Sequence, residues 1–308
     1  MKAKYMLFFL CGVMMVAGTA CKNQNTPEGK TLQKRHLTIK MNDSAASVKH
    51  IKNATITDEG STLLATWTAG DAVSCCNLLT RDLNEDIITA TLTATTTGRR
   101  SDLTGTVECM NGDELAIIYP VVDLSASSYE MGDGIHGKFT INLTGQDGSL
   151  ERLASHYHYN YGRAHIISAT ETIAEATMEP MQSLLTVCKF SFVEKGHEGD
   201  GALPITTLTI SYGGSGGYAG TYPQAANVEV TNLTMNTEAQ AVAVAGLTPL
   251  TIHAGGATEI YVALLPEINT CEYQFTVTSG SDTYTGTASA WLKKGEYVPA
   301  TGLKLTKQ

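Results

Sequence analysis

Positive charge is scarce in this chain of 308 residues: 21 lysines and arginines stand against 30 aspartates and glutamates, a formal net charge of -9. A protein that tracks a phosphate backbone needs basic patches, so the balance argues against nucleic acid and none is expected as a partner. Charge of either sign is low at 17%, but 43% of the residues are hydrophobic, which rules out a disordered chain. Cysteine is also sparse. Beyond Cys11 and Cys21 there are Cys75, Cys76, Cys109, Cys188 and Cys271, an odd number without regular spacing, so no disulfide framework is expected. One bridge between two of the five remains open, and Cys188, on the same strand face as Phe190 and Phe192, has the setting of a small buried hydrophobe. No GxSxG elbow, HExxH spacing or distinct pair of carboxylates occurs, so an enzyme is not expected and no catalytic residue is assigned. Past the first twenty residues no apolar run reaches the roughly 20 residues of a membrane-spanning helix.

Residues 1–20 have the layout of an export signal: Lys2 and Lys4, an apolar stretch from Tyr5 to Ala17, then small residues. Gly18-Thr19-Ala20-Cys21 resembles a bacterial lipobox, which makes Cys21 the candidate lipidation site and the outer membrane surface the expected location, with the acyl chain as anchor. Ordinary cleavage near Ala20 would instead leave Cys21 a free thiol. The polar stretch from Lys22 to about Lys30, with Pro27 and Gly29, has the composition of a tether.

Period-two alternation dominates the rest. In Ile88-Thr89-Ala90-Thr91-Leu92-Thr93-Ala94-Thr95 apolar residues and threonines alternate, the pattern of a strand with one wet face. Phe139 to Leu143, Cys188 to Phe192, Tyr273 to Val277 and Leu303 to Leu305 repeat it, and Leu115 to Tyr119 and Ile260 to Leu265 are dense enough for strands buried on both faces. Roughly 40 threonines and many Gly, Asn and Asp turns fit an all-β protein. Only Ala169 to Met178, rich in Ala and Glu, suggests a helix, as a connector before Pro180. The charged, glycine-rich stretch from Glu194 to Gly201 marks the expected boundary, giving an N-terminal domain over 46–197 and a C-terminal domain over 198–308, preceded by the leader (1–20) and a tether with first strand (21–45).

Three features resemble chemical sites. Gly214-Ser215-Gly216-Gly217-Tyr218-Ala219 satisfies G-x-G-x-x-A, but Thr221-Tyr222-Pro223 and another strand pattern follow in place of the helix that would hold a pyrophosphate, so a hairpin loop and no nucleotide or other cofactor are expected. His156 and His158 share a face if they lie in a strand, with His165 or Glu151 as a third ligand. Two ligands do not make a site, so no metal is expected, and Tyr157, Tyr159 and Tyr161 are expected to pack. A glycan-binding module needs exposed aromatic platforms. Trp67 and Trp291 are expected to be buried, which leaves Tyr129, Tyr218 and Tyr222 as candidates.

Several short motifs, in order, resemble the fimbrillin family of surface lipoproteins, the subunits and accessory proteins of type V pili. They are Trp67-Thr68-Ala69-Gly70-Asp71, the apolar strand closing on Tyr119-Pro120, Gly145-Gln146-Asp147-Gly148, the segments Met181 to Phe192 and Ile205 to Gly220, the strand Tyr261 to Pro266, and Trp291-Leu292-Lys293-Lys294-Gly295-Glu296-Tyr297. The resemblance spans about Leu37 to Leu305 and implies two tandem transthyretin-like antiparallel β-sandwich domains. It also implies a structural subunit or accessory or tip adhesin that assembles with other pilus subunits by strand exchange, a removed N-terminal strand being replaced by one from another subunit. On that basis residues 32–41, with Leu37, Ile39 and Met41, are the candidate removable strand, and Lys49 and Lys52 the candidate processing positions. Gly302 to Gln308, with Leu303 and Leu305, is the candidate donor or closing strand. The alternative is a non-polymerising surface lipoprotein that binds glycans or other host ligands.

Overall fold

A computed structural model describes residues 29, 31–41, 55–79, 86–128, 135–214, 219–231 and 249–308. They form an all-β protein of two bodies. The first is built from β1 (Gln33–Met41), β4 (Ala72–Asn77), β5 (Thr89–Ala94), β6 (Leu103–Cys109), β7 (Glu114–Tyr119), β10 (Asn160–Ala169), β11 (Ile173–Met178) and the short β12 (Gln182–Ser183). Their order is β11-β1-β6-β5-β4-β7-β10-β12, and β11 also pairs with β10. That extra pairing closes every strand but β12 into a barrel, which leaves no free edge. Its interior is filled by Leu37, Ile39, Trp67, Leu92, Leu103 and Ile117 among others.

The second body has the order β15-β14-β19-β20-β21-β13-β18, with β17 beside β14. Its strands are β13 (Thr186–Glu194), β14 (Ile205–Gly213), β15 (Ala219–Thr221), β17 (Leu250–Ala257), β18 (Ile260–Leu264), β19 (Cys271–Ser279), β20 (Asp282–Ala290) and β21 (Tyr297–Lys307). Each body contains one parallel pair within an otherwise antiparallel sheet: β1 beside β11, and β13 beside β21. In both, the first strand of the body lies between a parallel neighbour and an antiparallel one.

Two expectations change. The Ala- and Glu-rich stretch from Ala169 to Met178 is not helical: Ala169 ends β10, a turn holds Thr170 N–H on Ile173 O at 2.8 Å, and β11 follows. Ala174, Ala176 and Met178 point into the barrel while Ile173, Glu175 and Thr177 face outward, so the alanines serve as small interior residues at period two. The sheets also change between β12 and β13, ahead of the expected boundary at 197 and 198. The glycine-rich stretch after Glu194 is an internal link from β13 to β14, with one short turn at Glu198–Asp200.

The two bodies share a core. The outward faces of β4 and β7, through Cys76, Ala116 and Ile118, pack into the same apolar cluster as Phe192, Ile210 and Val262 of the second body. A small sheet bridges them, since β9 (Ile135–Asn142) pairs on one side with β8 (Ser125–Ser128) and on the other with β16 (Ala225–Glu229). A hairpin of β2 (Thr55–Asp58) and β3 (Leu63–Thr66) adds a polar clasp at its end. Asp58 Oδ2 lies 3.1 Å from Lys189 Nζ and accepts the Tyr261 hydroxyl at 2.6 Å, while Lys189 also meets Glu259 at 3.0 Å. These partners hold the Asp58 carboxyl down at about 2, against its burial, which acts the other way, and they raise the Lys189 ammonium above its usual range.

Candidate functional site

The candidate site is the position of β1. Its alternation is clean: Arg35, Leu37 and Ile39 point inward and are buried, while His36 and Lys40 face solvent. On one side β1 runs parallel to β11, from His36 opposite Ile173 to Met41 opposite Met178. On the other it runs antiparallel to β6, from Gln33 opposite Cys109 to Ile39 opposite Leu103. Both ladders are therefore satisfied by one segment near the start of the chain. Without β1, the edges of β6 and β11 would lie open along an apolar trough, each with a row of unpaired main-chain groups.

Arg35 was not singled out in the sequence, yet it fixes the start of this strand. Its side chain is buried, with no carboxylate partner among the described residues. Nε donates to Thr170 O at 2.5 Å, and Nη1 donates to Thr31 O at 2.9 Å and to Cys109 O. These carbonyls belong to the approach to β1, the end of β6 and the β10–β11 turn, so one guanidinium closes the end of the barrel. His36 N–H on Thr172 O at 2.8 Å and Gln33 Nε2 on Glu171 O at 2.7 Å tie the same turn to the strand.

The Trp67 to Asp71 motif has a physical account. The Trp67 indole is fully buried in the barrel, meeting Tyr119 edge-on at 6.1 Å. Gly70 takes φ +93°, a left-handed conformation that glycine adopts freely, and Asp71 Oδ2 accepts the Thr68 N–H at 2.7 Å to close the turn into β4.

The C-terminal strand has both neighbours: β21 lies parallel to β13, with Leu303 opposite Phe192 and Leu305 opposite Glu194, and antiparallel to β20 at Thr306 and Lys307. Leu305 is buried and Leu303 half-buried. Cys21, Lys49 and Lys52 lie outside the described residues, as do Tyr129 and Tyr218.

The other candidates come apart. His156 is exposed on a helical turn (Leu153–Tyr157), not a strand, with Nδ1 2.7 Å from Ser155 Oγ. His158 is buried beside Tyr119, ring centres 6.4 Å apart, with no hydrogen-bond partner for either nitrogen among the described residues, and His165 faces solvent on β10. Among the described residues no three His, Cys, Asp or Glu side chains are placed to hold a metal ion. Desolvation pushes the His158 imidazole down to about 3. Tyr157, Tyr159 and Tyr161 are all buried, the packing role expected of them.

The glycine-rich segment is followed by β15, with no helix N-terminus for a phosphate. Tyr222 is fully buried, donating to Leu265 O at 3.0 Å and accepting from Leu265 N–H at 2.8 Å, which removes it as a glycan platform. Trp291, expected in the core, is 49% exposed: its Nε1–H is held on Glu267 O at 2.9 Å while its neighbour Leu292 takes the buried position. The five described cysteines are all buried free thiols, Cys188 among them in the core as expected. Burial raises them, Cys188 to about 12 and Cys76, Cys109 and Cys271 to about 11.

No protein-family model and no curated protein matches the chain. Among solved structures, it is similar to a candidate cell adhesion protein of Bacteroides ovatus at 13% identity, with a TM-score of 0.49, covering 91% of this chain and 97% of that one. A candidate cell adhesion protein of Bacteroides uniformis gives 16% identity and a TM-score of 0.43 over 71% and 78% of the two chains. The shaft pilin SpaA of Lactobacillus rhamnosus gives 12% and 0.32 over 90% and 98%.

Proposed function

We propose that the protein is an exported, non-enzymatic surface protein of the fimbrillin type, a pilus subunit or pilus-associated adhesin whose first strand is exchanged for a strand from a neighbouring subunit. The observation that carries this reading is the position of β1, the first strand of the described residues, inserted between two strands and completing a closed barrel with Leu37 and Ile39. A strand so placed can be replaced without rethreading the rest of the body. An incoming strand would recover both ladders and fill the trough if it presented apolar residues at the positions of Leu37 and Ile39.

The C-terminal strand supports a matching donor. Like β1, β21 is parallel to one neighbour and antiparallel to the other, and its Leu303 and Leu305 have the spacing of Leu37 and Ile39. In this reading Cys21 carries the acyl anchor at the outer membrane, and Lys49 or Lys52 marks where the chain is cut to release β1. The test is an immunoblot of surface-sheared protein, boiled and unboiled, with the N-terminus of the mature band read by mass spectrometry. A ladder that collapses on boiling, with an N-terminus beyond Met41, is the expected result. A single band that still contains Leu37 and Ile39 would remove the exchange reading.

A further inference from the structure

Hairpin β10–β11 is paired up to its turn, with Ala169 opposite Ala174 and Ser168 opposite Glu175. Hairpin β20–β21 is different. Its two strands pair only at the far end, Tyr284 with Lys307 and Thr285 with Thr306. Gly286 still lies against Lys304 and Leu305, but from Thr287 to Ala290 and from Tyr297 to Leu303 the two strands share no ladder, because β21 is drawn onto β13 and then kinks between Ala300 and Leu303. Gly302 makes that kink at φ +69°, its N–H held on Ser191 Oγ at 2.9 Å.

Between the parted strands lies an apolar cavity of about 210 Å³. Its floor is Cys188, Phe190, Tyr273, Phe275 and Leu292, all buried. The space exists because β20 contributes only small residues to it, Ala288, Ser289 and Ala290, opposite Val298, Ala300 and Leu303 of β21. No charged side chain lines it. Paired strands close one end. The loop 291–296 closes the other, fixed by Glu267 N–H on Leu292 O at 2.7 Å and by Gly295 N–H on Leu185 O at 3.1 Å. A chain cannot run through such an opening, but a compact group can enter it.

We infer that the cleft between β20 and β21 is a binding site for a neutral apolar group the size of one or two aromatic rings. Apolar cavities of about 150 Å³ stay dry and take up benzene, so this lining favours a ring over water. None of its residues belongs to the barrel that β1 completes, although Leu303 lies both in this lining and in the proposed donor strand, so the inference holds for β21 in its place beside β13. The ring can belong to a free small molecule or to a side chain presented by a partner, and one titration separates the two. Indole and N-acetyl-Gly-Trp-Gly-amide would each be titrated into the purified protein, followed by calorimetry and NMR shifts. The expected result is saturable indole binding that weakens by at least about tenfold in Ala290→Phe, where the added ring occupies the space. Ala288→Leu serves as a second filling variant should Ala290→Phe fail to fold. Binding of the tripeptide as well would assign the site to a presented side chain, and binding of indole alone to a free ligand. Absence of binding by either probe, or indole binding unchanged in a folded filling variant, would overturn the inference.

Discussion

Replacing His158 tests the account of the barrel through a pH dependence that its burial dictates. The imidazole is buried, neither nitrogen has a partner, and desolvation holds it at about 3 against an ordinary 6.5. The unfolded chain therefore binds this proton between those values while the folded chain does not, so stability is lost as pH falls through 6.5 and continues to fall toward 3. For an unfolded value of 6.5, linkage makes the loss about 2 kcal/mol on going from pH 7 to pH 5. Asp58, held at about 2, weakens the fold only at lower pH, and Glu267, raised by burial, has the opposite slope. Urea denaturation of the parent protein and of His158→Leu at both pH values isolates the histidine, because the other groups cancel in the difference. The parent should lose about 2 kcal/mol more than the variant, which at pH 7 should be at least as stable, since two unpaired nitrogens leave the core. Equal pH dependence in the two proteins would refute the burial argument.

Other perturbations have equally direct outcomes. Asp58→Asn should cost about 1–3 kcal/mol above pH 5 by breaking the clasp to Lys189, with the difference from the parent fading as pH falls toward 2, where the Asp58 carboxyl is itself protonated. Gly105→Val should prevent closure of the barrel, because a Cβ there would meet Leu92 Cδ2 at 2.6 Å and Thr91 O at 2.7 Å, and the loss should show as insoluble protein or a collapsed melting transition. Leu37→Ala should destabilise by about 2–5 kcal/mol in equilibrium denaturation, since its side chain is wholly enclosed by the barrel.

Alternation made individual strands legible: Ile88 to Thr95, Leu115 to Tyr119 and Tyr273 to Val277 all coincide with strands, because a one-residue period error would turn every apolar side chain outward. Pairing was not legible. Nothing in Thr186 to Glu194 says that it joins the second sheet, since sheet membership is set by contacts with Tyr261 and Val298 far along the chain. The segment at Ile173 misled because alanine favours helices by propensity, whereas here it satisfies the crowding of a barrel interior. Trp67 and Trp291 looked alike in sequence, but adjacency to Leu292 decided which side chain of the last turn went inward. The inward face of β1 was visible at Leu37 and Ile39. Arg35, on the same face, is not legible because a buried arginine depends on carbonyls such as those of Cys109 and Thr170, far along the chain, that no local pattern reveals.

The central claim, that β1 is a replaceable strand, is tested most directly by locking it. Thr38 and Thr104 are directly opposed on β1 and β6, so a cysteine at each would allow a disulfide across the ladder. Surface-sheared protein from cells expressing the Thr38→Cys, Thr104→Cys pair would be compared with each single substitution by unboiled electrophoresis. The account predicts that the oxidised pair gives monomer alone while each single substitution forms a boiling-sensitive ladder. A ladder of equal length from the fully oxidised pair would contradict it.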